Sequence, residues 1–475
     1  MKLNIIHSNK LYSFFESFMY SFSSNLLSLL ISTITILIVP KFIGVVEYGY
    51  WQLYLLYVSY TGLMQLGWCD GVYLRYGGKE YEKLNKKLIS SQFWYIMVFY
   101  ILFSLILLLP MYFFKAYLNL QMIFWALISG FITTPRGIPY YILQATNNIK
   151  QYAKITMIDR GAFCIILITL LVIGCKDYHF IIVSDIAGKL CAFVVTTYFC
   201  RDIIFSKITT FKESIIEACK NLNAGFKLMV ANIASQLILG IVRLNIESYW
   251  GIEVFGKVSL TLSISNLFMV FINAVAIIMF PMLRKISDER LPNLYRNIRT
   301  ILMLPILFVL VFYYPLREIL ILWLPQYAEG LRYMALLIPI IVYESKMSLL
   351  VNTYLKSLRK EKQMLIINLL TVVISLIISN ITVYWMNNLD LTIIAIVVIL
   401  AFRSILAEIY ISSVLKIEVL KDIVLELIMS FLFILSSWFI GGWQGVGVYF
   451  ITYLIYFFIK KNDVKETLLI LKSLK

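Results

Sequence analysis

The sequence predicts an all-α, polytopic membrane protein with about fourteen transmembrane helices. Three observations carry that reading. Hydrophobic residues make up 61% of the 475-residue chain and charged residues only 14%, against about a quarter in soluble domains, so much of its surface must meet something other than water. Apolar runs of about twenty residues, the length that crosses a bilayer as a helix, recur from one end to the other. The cations gather in alternate connecting segments, as they do when those segments lie on the cytoplasmic side.

The runs lie near 14–39, 50–72, 91–113, 121–145, 157–174 and 179–200, then 226–248, 257–281, 299–316, 331–355, 364–386 and 391–415, and finally 423–440 and 444–460. The first is too long for the apolar part of a secretory signal and lacks a small-residue cleavage site, so it reads as a span. With a cytoplasmic N-terminus, cytoplasmic segments hold 31 of the 42 Lys and Arg. These are Lys2 and Lys10, then the groups Arg75–Lys87, Lys150–Arg160, Arg201–Lys227, Arg284–Arg299, Lys356–Lys362 and Lys416–Lys421, and the C-terminal tail. Outer segments hold seven: Lys41, Lys115, Lys176, Arg243, Lys257, Arg317 and Arg332. One span more or fewer in mid-chain would scramble this alternation downstream. Both termini are therefore expected in the cytoplasm. The net charge of +16 follows from membrane orientation, and no nucleic-acid partner is expected.

The longest polar stretch between runs, Arg201 to Asn223, sets six spans apart from the rest. Within it Ile208, Phe211, Ile215, Ile216, Cys219 and Leu222 recur at near-helical spacing, which predicts an amphipathic helix on the cytoplasmic surface. An internal echo supports the division. Gly44 and Gly49 follow the first run, and Gly251 and Gly256 follow the seventh, at an offset of 207. Lys150-Gln151 and Lys362-Gln363 repeat after the fourth and tenth runs at an offset of 212. The predicted organisation is an N-terminal six-helix lobe over 1–200, an amphipathic linker over 201–223 and a second six-helix lobe over 224–415. Two additional helices and a cytoplasmic tail follow over 416–475. The lobes would be related by an axis along the membrane normal.

No phosphate-cradling glycine loop, nucleophile elbow or metal-binding pair occurs, and no loop is long enough for a soluble active-site domain. The chain is not expected to be an enzyme or to carry a cofactor or metal. The cysteines Cys69, Cys164, Cys175, Cys191, Cys200 and Cys219 match no zinc or redox spacing and read as small core residues. His7 and His179 fall near helix ends.

Charges at membrane depth are more informative, since each costs on the order of 2.5–3.5 kcal/mol at a helix centre. Arg136 sits beside Pro135 and Pro139 in the fourth run. Asp185 and Lys189 are four apart and can pair on one helix face, as can Arg243 and Glu247. Glu344 and Lys346 follow Pro339, Arg403 and Glu408 share the twelfth run, and Glu16 and Asp70 lie near the ends of the first two. One reading makes all of these internal ion pairs or snorkelling side chains, and it is favoured for Asp185 and Lys189. The other has arginines line a cationic cavity between the lobes, where a guanidinium suits phosphate because it donates two parallel hydrogen bonds. On that reading Arg243, Arg136, Arg403 and Lys346 are the substrate-binding candidates. Arg243 comes first because it lies where the second repeat begins. Pro135, Pro139, Pro281, Pro305 and Pro339 can kink spans. Tyr54, Tyr57 and Tyr60 share a helix face that could pack internally or stack on sugar rings.

The order of short motifs along the whole chain resembles the polysaccharide repeat-unit (Wzx-type, O-antigen or capsule) flippases of the multidrug/oligosaccharidyl-lipid/polysaccharide exporter superfamily. The motifs are Phe42-Ile43-Gly44 leading to Glu47-Tyr48-Gly49, and Gln65-Leu66-Gly67 leading to Leu74-Arg75-Tyr76-Gly77. Further along come Gln144-Ala145-Thr146-Asn147 to Lys150-Gln151-Tyr152-Ala153, and Gly240 to Glu247 with Trp250-Gly251 and Phe255-Gly256-Lys257. The resemblance implies two six-helix lobes around a central cavity lined by spans one, two, seven and eight. The implied cargo is an undecaprenyl-diphosphate-linked oligosaccharide, moved to the outer leaflet of the bacterial cytoplasmic membrane. Arg243 would meet the diphosphate or an acidic sugar, although many relatives carry an acidic residue near that position. A proton or sodium ion is implied as coupling ion, with Glu247, Glu344 or Asp185 as its carrier, and a polysaccharide polymerase and glycosyltransferases as partners. The rival readings are a drug exporter or lipid II flippase of the same superfamily, and a membrane-embedded polymerase, which would typically carry one large outer loop.

Overall fold

The computed structural model describes residues 2–113, 120–283 and 288–473. Lys115, Arg284, Lys285 and Lys475 of the charge pattern lie outside the described residues, as does the side chain of Glu16. The chain divides into two compact units, Met1–Ile233 and Ala234–Lys475. The first holds α1 (Lys2–Phe42), α2 (Val45–Tyr60), α3 (Trp68–Tyr76), α4 (Lys86–Phe113), α5 (Leu120–Ala145), α6 (Ile149–Ile173), α7 (Tyr178–Phe199), the short α8 (Arg201–Ile204) and the start of α9 (Phe211–Leu283). The second holds the rest of α9, then α10 (Leu291–Val309), α11 (Tyr313–Trp323), α12 (Ala328–Arg332), α13 (Met334–Leu337), α14 (Ile340–Ser345) and α15 (Asn352–Ser357). It ends with α16 (Glu361–Asn380), α17 (Leu389–Leu415), α18 (Leu420–Leu435) and α19 (Gly442–Ser473).

Among the described residues, eleven helical stretches are long and apolar enough to cross a membrane. Every predicted run falls on one of them except two, and one stretch holds two runs. That stretch, Phe211–Met269, has 59 residues, roughly 90 Å of straight helix and about three hydrocarbon thicknesses. It is not straight. At Gly251 the backbone takes φ 82°, ψ 177°, a conformation essentially confined to glycine, and the break separates runs 226–248 and 257–281. The run 50–72 is not one helix. α2 ends at Tyr60, a 3₁₀ turn covers Thr61–Gln65, Leu66 and Gly67 are left-handed, and α3 follows. The run 121–145 is one helix, α5, but Ser129, Gly130, Thr133, Thr134 and Arg136 dilute its hydropathy. Lipid-facing surface is plain on the spans: Ile106, Val172, Leu322 and Phe458 are all largely exposed.

Gly251 and its echo Gly44 differ. Gly44 has an ordinary φ of −68°. No atom lies within 4 Å of a Cβ placed on Gly251, so only the backbone demands glycine there. Gly251→Ala is expected to cost about 1–3 kcal/mol of strain and to lower the thermal-unfolding midpoint in detergent, while Gly44→Ala does so far less. Equal midpoints for the two variants would refute this account.

The stretch over 201–223 is not a separate surface helix. α8 and a short loop lead to Phe211, from which α9 runs unbroken past residue 240. Its first turns bury polar groups: Ser214 and Asn221 are fully buried and Glu217 nearly so. Phe211, Ile215 and Ile216 stay exposed, an apolar face suited to the membrane interface.

The expected terminal pair, α18 and α19, packs within the second unit, α19 chiefly on α10. The most buried span of that unit is Met334–Ser357. Pro339 separates its α13 from α14, and Lys346–Val351 forms a π-helical segment before α15.

Candidate functional site

In the first unit Arg136, Asp185 and Lys189 are paired. Arg136 on α5 forms an ion pair with Asp159 on α6 at 2.8 Å and lies over the Tyr140 ring. Asp185 on α7 accepts from Tyr54 Oη at 2.7 Å and from Lys189 Nζ, one turn on, which also donates to Ser129 Oγ at 2.7 Å. This pair ties α2, α5 and α7. Tyr54 itself is buried and stacked on Trp51, so it belongs to this packing.

Arg75, which the sequence marks only as part of a motif, holds a second cluster. Its Nη1 donates to Glu217 Oε1 at 2.7 Å and to Asn221 Oδ1, and Tyr76 Oη donates to Glu217 at 2.8 Å. The two helices touch through backbone. A Cβ on Gly71 would lie 1.8 Å from the Asn221 carbonyl oxygen, and one on Gly225 would lie 2.0 Å from that of Gly67. Gly67, Gly71 and Arg75 on one helix face Gly225, Asn221 and Glu217 on the other, each four residues apart, so the rows run antiparallel. Small residues at this spacing allow close helix crossing in membranes.

In the second unit, Arg403 on α17 is almost fully buried. It bonds Glu344 at 3.1 Å, Asn368 Oδ1 at 3.0 Å and Ser235 Oγ at 2.8 Å, which joins α14, α16 and α9. Arg243 is half-buried before the Gly251 break. Its Nη2 donates to Ser259 Oγ at 3.0 Å and its guanidinium lies 5.2 Å from the Phe255 ring centre, so it spans both arms of α9. Glu247 is half-buried one turn further on.

Lys346 belongs to a larger network. Its Nζ donates to Glu408 Oε2 at 2.6 Å and Glu426 Oε2 at 2.8 Å. Arg299 Nε donates to Glu408 Oε1 at 2.6 Å, and its Nη2 lies 2.8 Å from Glu426 Oε1. All four side chains are at most 3% exposed. Arg299 also reaches Asp422 at 3.2 Å, and Asp422 contacts Lys460, which bonds Asp463 at 2.6 Å. The sequence reading counted Arg299 as loop charge and passed over Glu426. The available signal was Asp422 and Glu426, four apart at the start of the thirteenth run. Beside the network lies a cavity of about 690 Å³, whose lining includes Asn297, Thr300, Ser412, Asp422, Lys460 and Asp463.

Arg136, Arg403 and Lys346 of the substrate-binding candidates thus carry carboxylate partners within their own unit. Asp185 and Glu344 of the ion-coupling candidates carry cations. Such paired sites hold helices together and can change protonation state only by releasing a partner.

No family model and no curated protein matches the sequence. Solved structures do match. An inward-facing multidrug resistance transporter of the MATE family, in the MOP superfamily, aligns with TM-score 0.59 at 14% identity over 82% of this chain and 99% of its own. The lipid II flippase MurJ, in an inward closed conformation, aligns with TM-score 0.61 at 15% identity over 92% of this chain and 98% of its own. A MOP superfamily transporter from Pyrococcus furiosus aligns with TM-score 0.55 at 12% identity over 84% and 95%. The chain has the fold of these polytopic membrane transporters.

Proposed function

We propose that the chain flips undecaprenyl-diphosphate-linked oligosaccharide repeat units from the cytoplasmic to the outer leaflet of the bacterial cytoplasmic membrane, for O-antigen, capsule or related surface polysaccharide. The observation that carries this is the fold shared with a lipid II flippase. That match covers 92% of this chain, against 82% for the multidrug transporter, about the margin a terminal helix pair would make. The motif order in the sequence supports the oligosaccharide, and the cation count supports cytoplasmic termini. The reading includes a polysaccharide polymerase and glycosyltransferases as partners, and a proton or sodium gradient as energy source. Glu247, Glu344 and Asp185 are the sequence-derived coupling carboxylates. Asp185 would have to release Lys189, and Glu344 Arg403, to take up a proton.

Deleting the gene is expected to leave lipid-linked repeat units facing the cytoplasm. Their accumulation in the outer leaflet would mean a polymerase and defeat the reading. Arg243 is proposed as the contact for the diphosphate or an acidic sugar. Arg243→Ala is expected to abolish surface polysaccharide with the protein still at normal level in the membrane, and Arg243→Lys to recover part of it. Full activity in the alanine variant would take Arg243 off the transport path.

A further inference from the structure

Arg299, Lys346, Glu408 and Glu426 place four charges in the interior of the second unit. Holding helices together is a weak reason for them. Well-packed apolar residues in place of a buried ion network are often neutral or stabilising by about 1–4 kcal/mol. Three features suit another use. Lys346 lies in a π-helical segment, a form frequent at functional sites. A lysine, unlike Arg299, can give up its proton, and each glutamate can take one. The network also adjoins the cavity wall. Contacts of 3.2 Å or less run from Lys460 and Asp422 at the cavity wall through Arg299 to Glu408, Glu426 and Lys346.

We propose that Lys346, Glu408 and Glu426 form a proton-binding site beside this cavity, behind Asp422 and Lys460. A metal cation fits poorly, because both oxygens of each glutamate already face Arg299 or Lys346. With all four groups ionised the centre is neutral. A proton taken up on a carboxylate oxygen of Glu408 or Glu426 leaves Lys346 with one ionised acceptor and the centre with one net positive charge. A low-dielectric interior does not hold that charge without rearrangement, so uptake is tied to movement of the helices that carry the groups. The other groups facing the site are Arg299 and Tyr295 from α10, Asp422 from α18, Lys460 and Tyr456 from α19, and Tyr343 from α14. The proposal rests on the transporter reading for its purpose, but its test needs no cargo.

Lys346→Met combined with Glu408→Gln removes one charge of each sign and leaves Arg299 with Glu426. The purified full-length protein and this double variant are compared in detergent by thermal unfolding from about pH 8 to about pH 5. Relative to the double variant, the wild-type midpoint is expected to rise as the pH falls, because the native site binds a proton that an unfolded glutamate, with a pKa of about 4.3, does not yet bind, and the double variant is expected to lack that part of the dependence. A folded double variant with the wild-type pH dependence overturns the proposal. Infrared difference spectra of the wild type over the same range give a readout independent of any variant. A protonated-carboxyl band from a buried acid is expected, and its absence overturns the proposal as well. Either failure leaves the oligosaccharide reading untouched. Failure of the gene-deletion assay, in turn, leaves the proton site standing in a transporter of other cargo.

Discussion

Glu408→Ala is expected to remove about 3–5 kcal/mol of stability, enough to lose the folded protein from a detergent extract. The reason is what remains, not what is lost. Glu408 is the hub for Arg299, Lys346 and the Tyr295 hydroxyl, and none of the three can reach water when it goes. Glu426 then faces both buried cations, with only Asp422 left to share Arg299. Glu344→Ala is the internal comparison. It also removes one partner of a spanning arginine, but the Glu344 side chain is 23% exposed and Arg403 keeps Asn368 and Ser235. Its cost should be clearly smaller. The measurement is the monodisperse peak and unfolding midpoint of each variant after solubilisation. Equal losses would show that burial of the network does not set its energetics. Replacing Arg299, Lys346, Glu408 and Glu426 together with Met and Leu should return much of the stability that Glu408→Ala removes, since no uncompensated charge is left.

The runs of the sequence located the spans because bilayer thickness fixes helix length, a one-dimensional constraint that a one-dimensional pattern can carry. The same pattern joined α2 and α3 into one run, because Leu66 and Gly67 break the helix by backbone conformation and not by polarity. Asp185 with Lys189 was legible as a pair because both lie on one helix at a spacing of four. Arg403 with Glu344, and Lys346 with Glu408 and Glu426, were not, since each pairing joins helices far apart in the chain. Near-helical spacing in 208–222 correctly marked an apolar face, but the buried face is the polar one. Periodicity says that a helix has two faces, and only its neighbours decide which is buried. Arg75 stood within a family-like motif, yet its partners Glu217 and Asn221 lie across the linker, beyond any local pattern.

Gly71→Val is expected to prevent accumulation of folded protein in the membrane. Overpacking usually costs about 1–3 kcal/mol because side chains shift into new rotamers. Here the obstacle is backbone: a Cβ on Gly71 would meet the carbonyl oxygen, carbonyl carbon and Cα of Asn221, all within 2.8 Å. Nothing can rotate away, so α3 and the start of α9 must separate. Separation also breaks the bonds of Arg75 to Glu217 and Asn221 and of Tyr76 to Glu217, and it leaves Glu217 buried without its cation. Arg75→Ala alone should be milder, because the backbone contact stays and Tyr76 still donates to Glu217. Gly62→Val is the control, with open space at its Cβ. If Gly71→Val accumulates as well as Gly62→Val, then α3 and α9 are not held at this crossing. If Arg75→Ala is as severe as Gly71→Val, the ion pair and not the glycine contact sets the distance between the two helices.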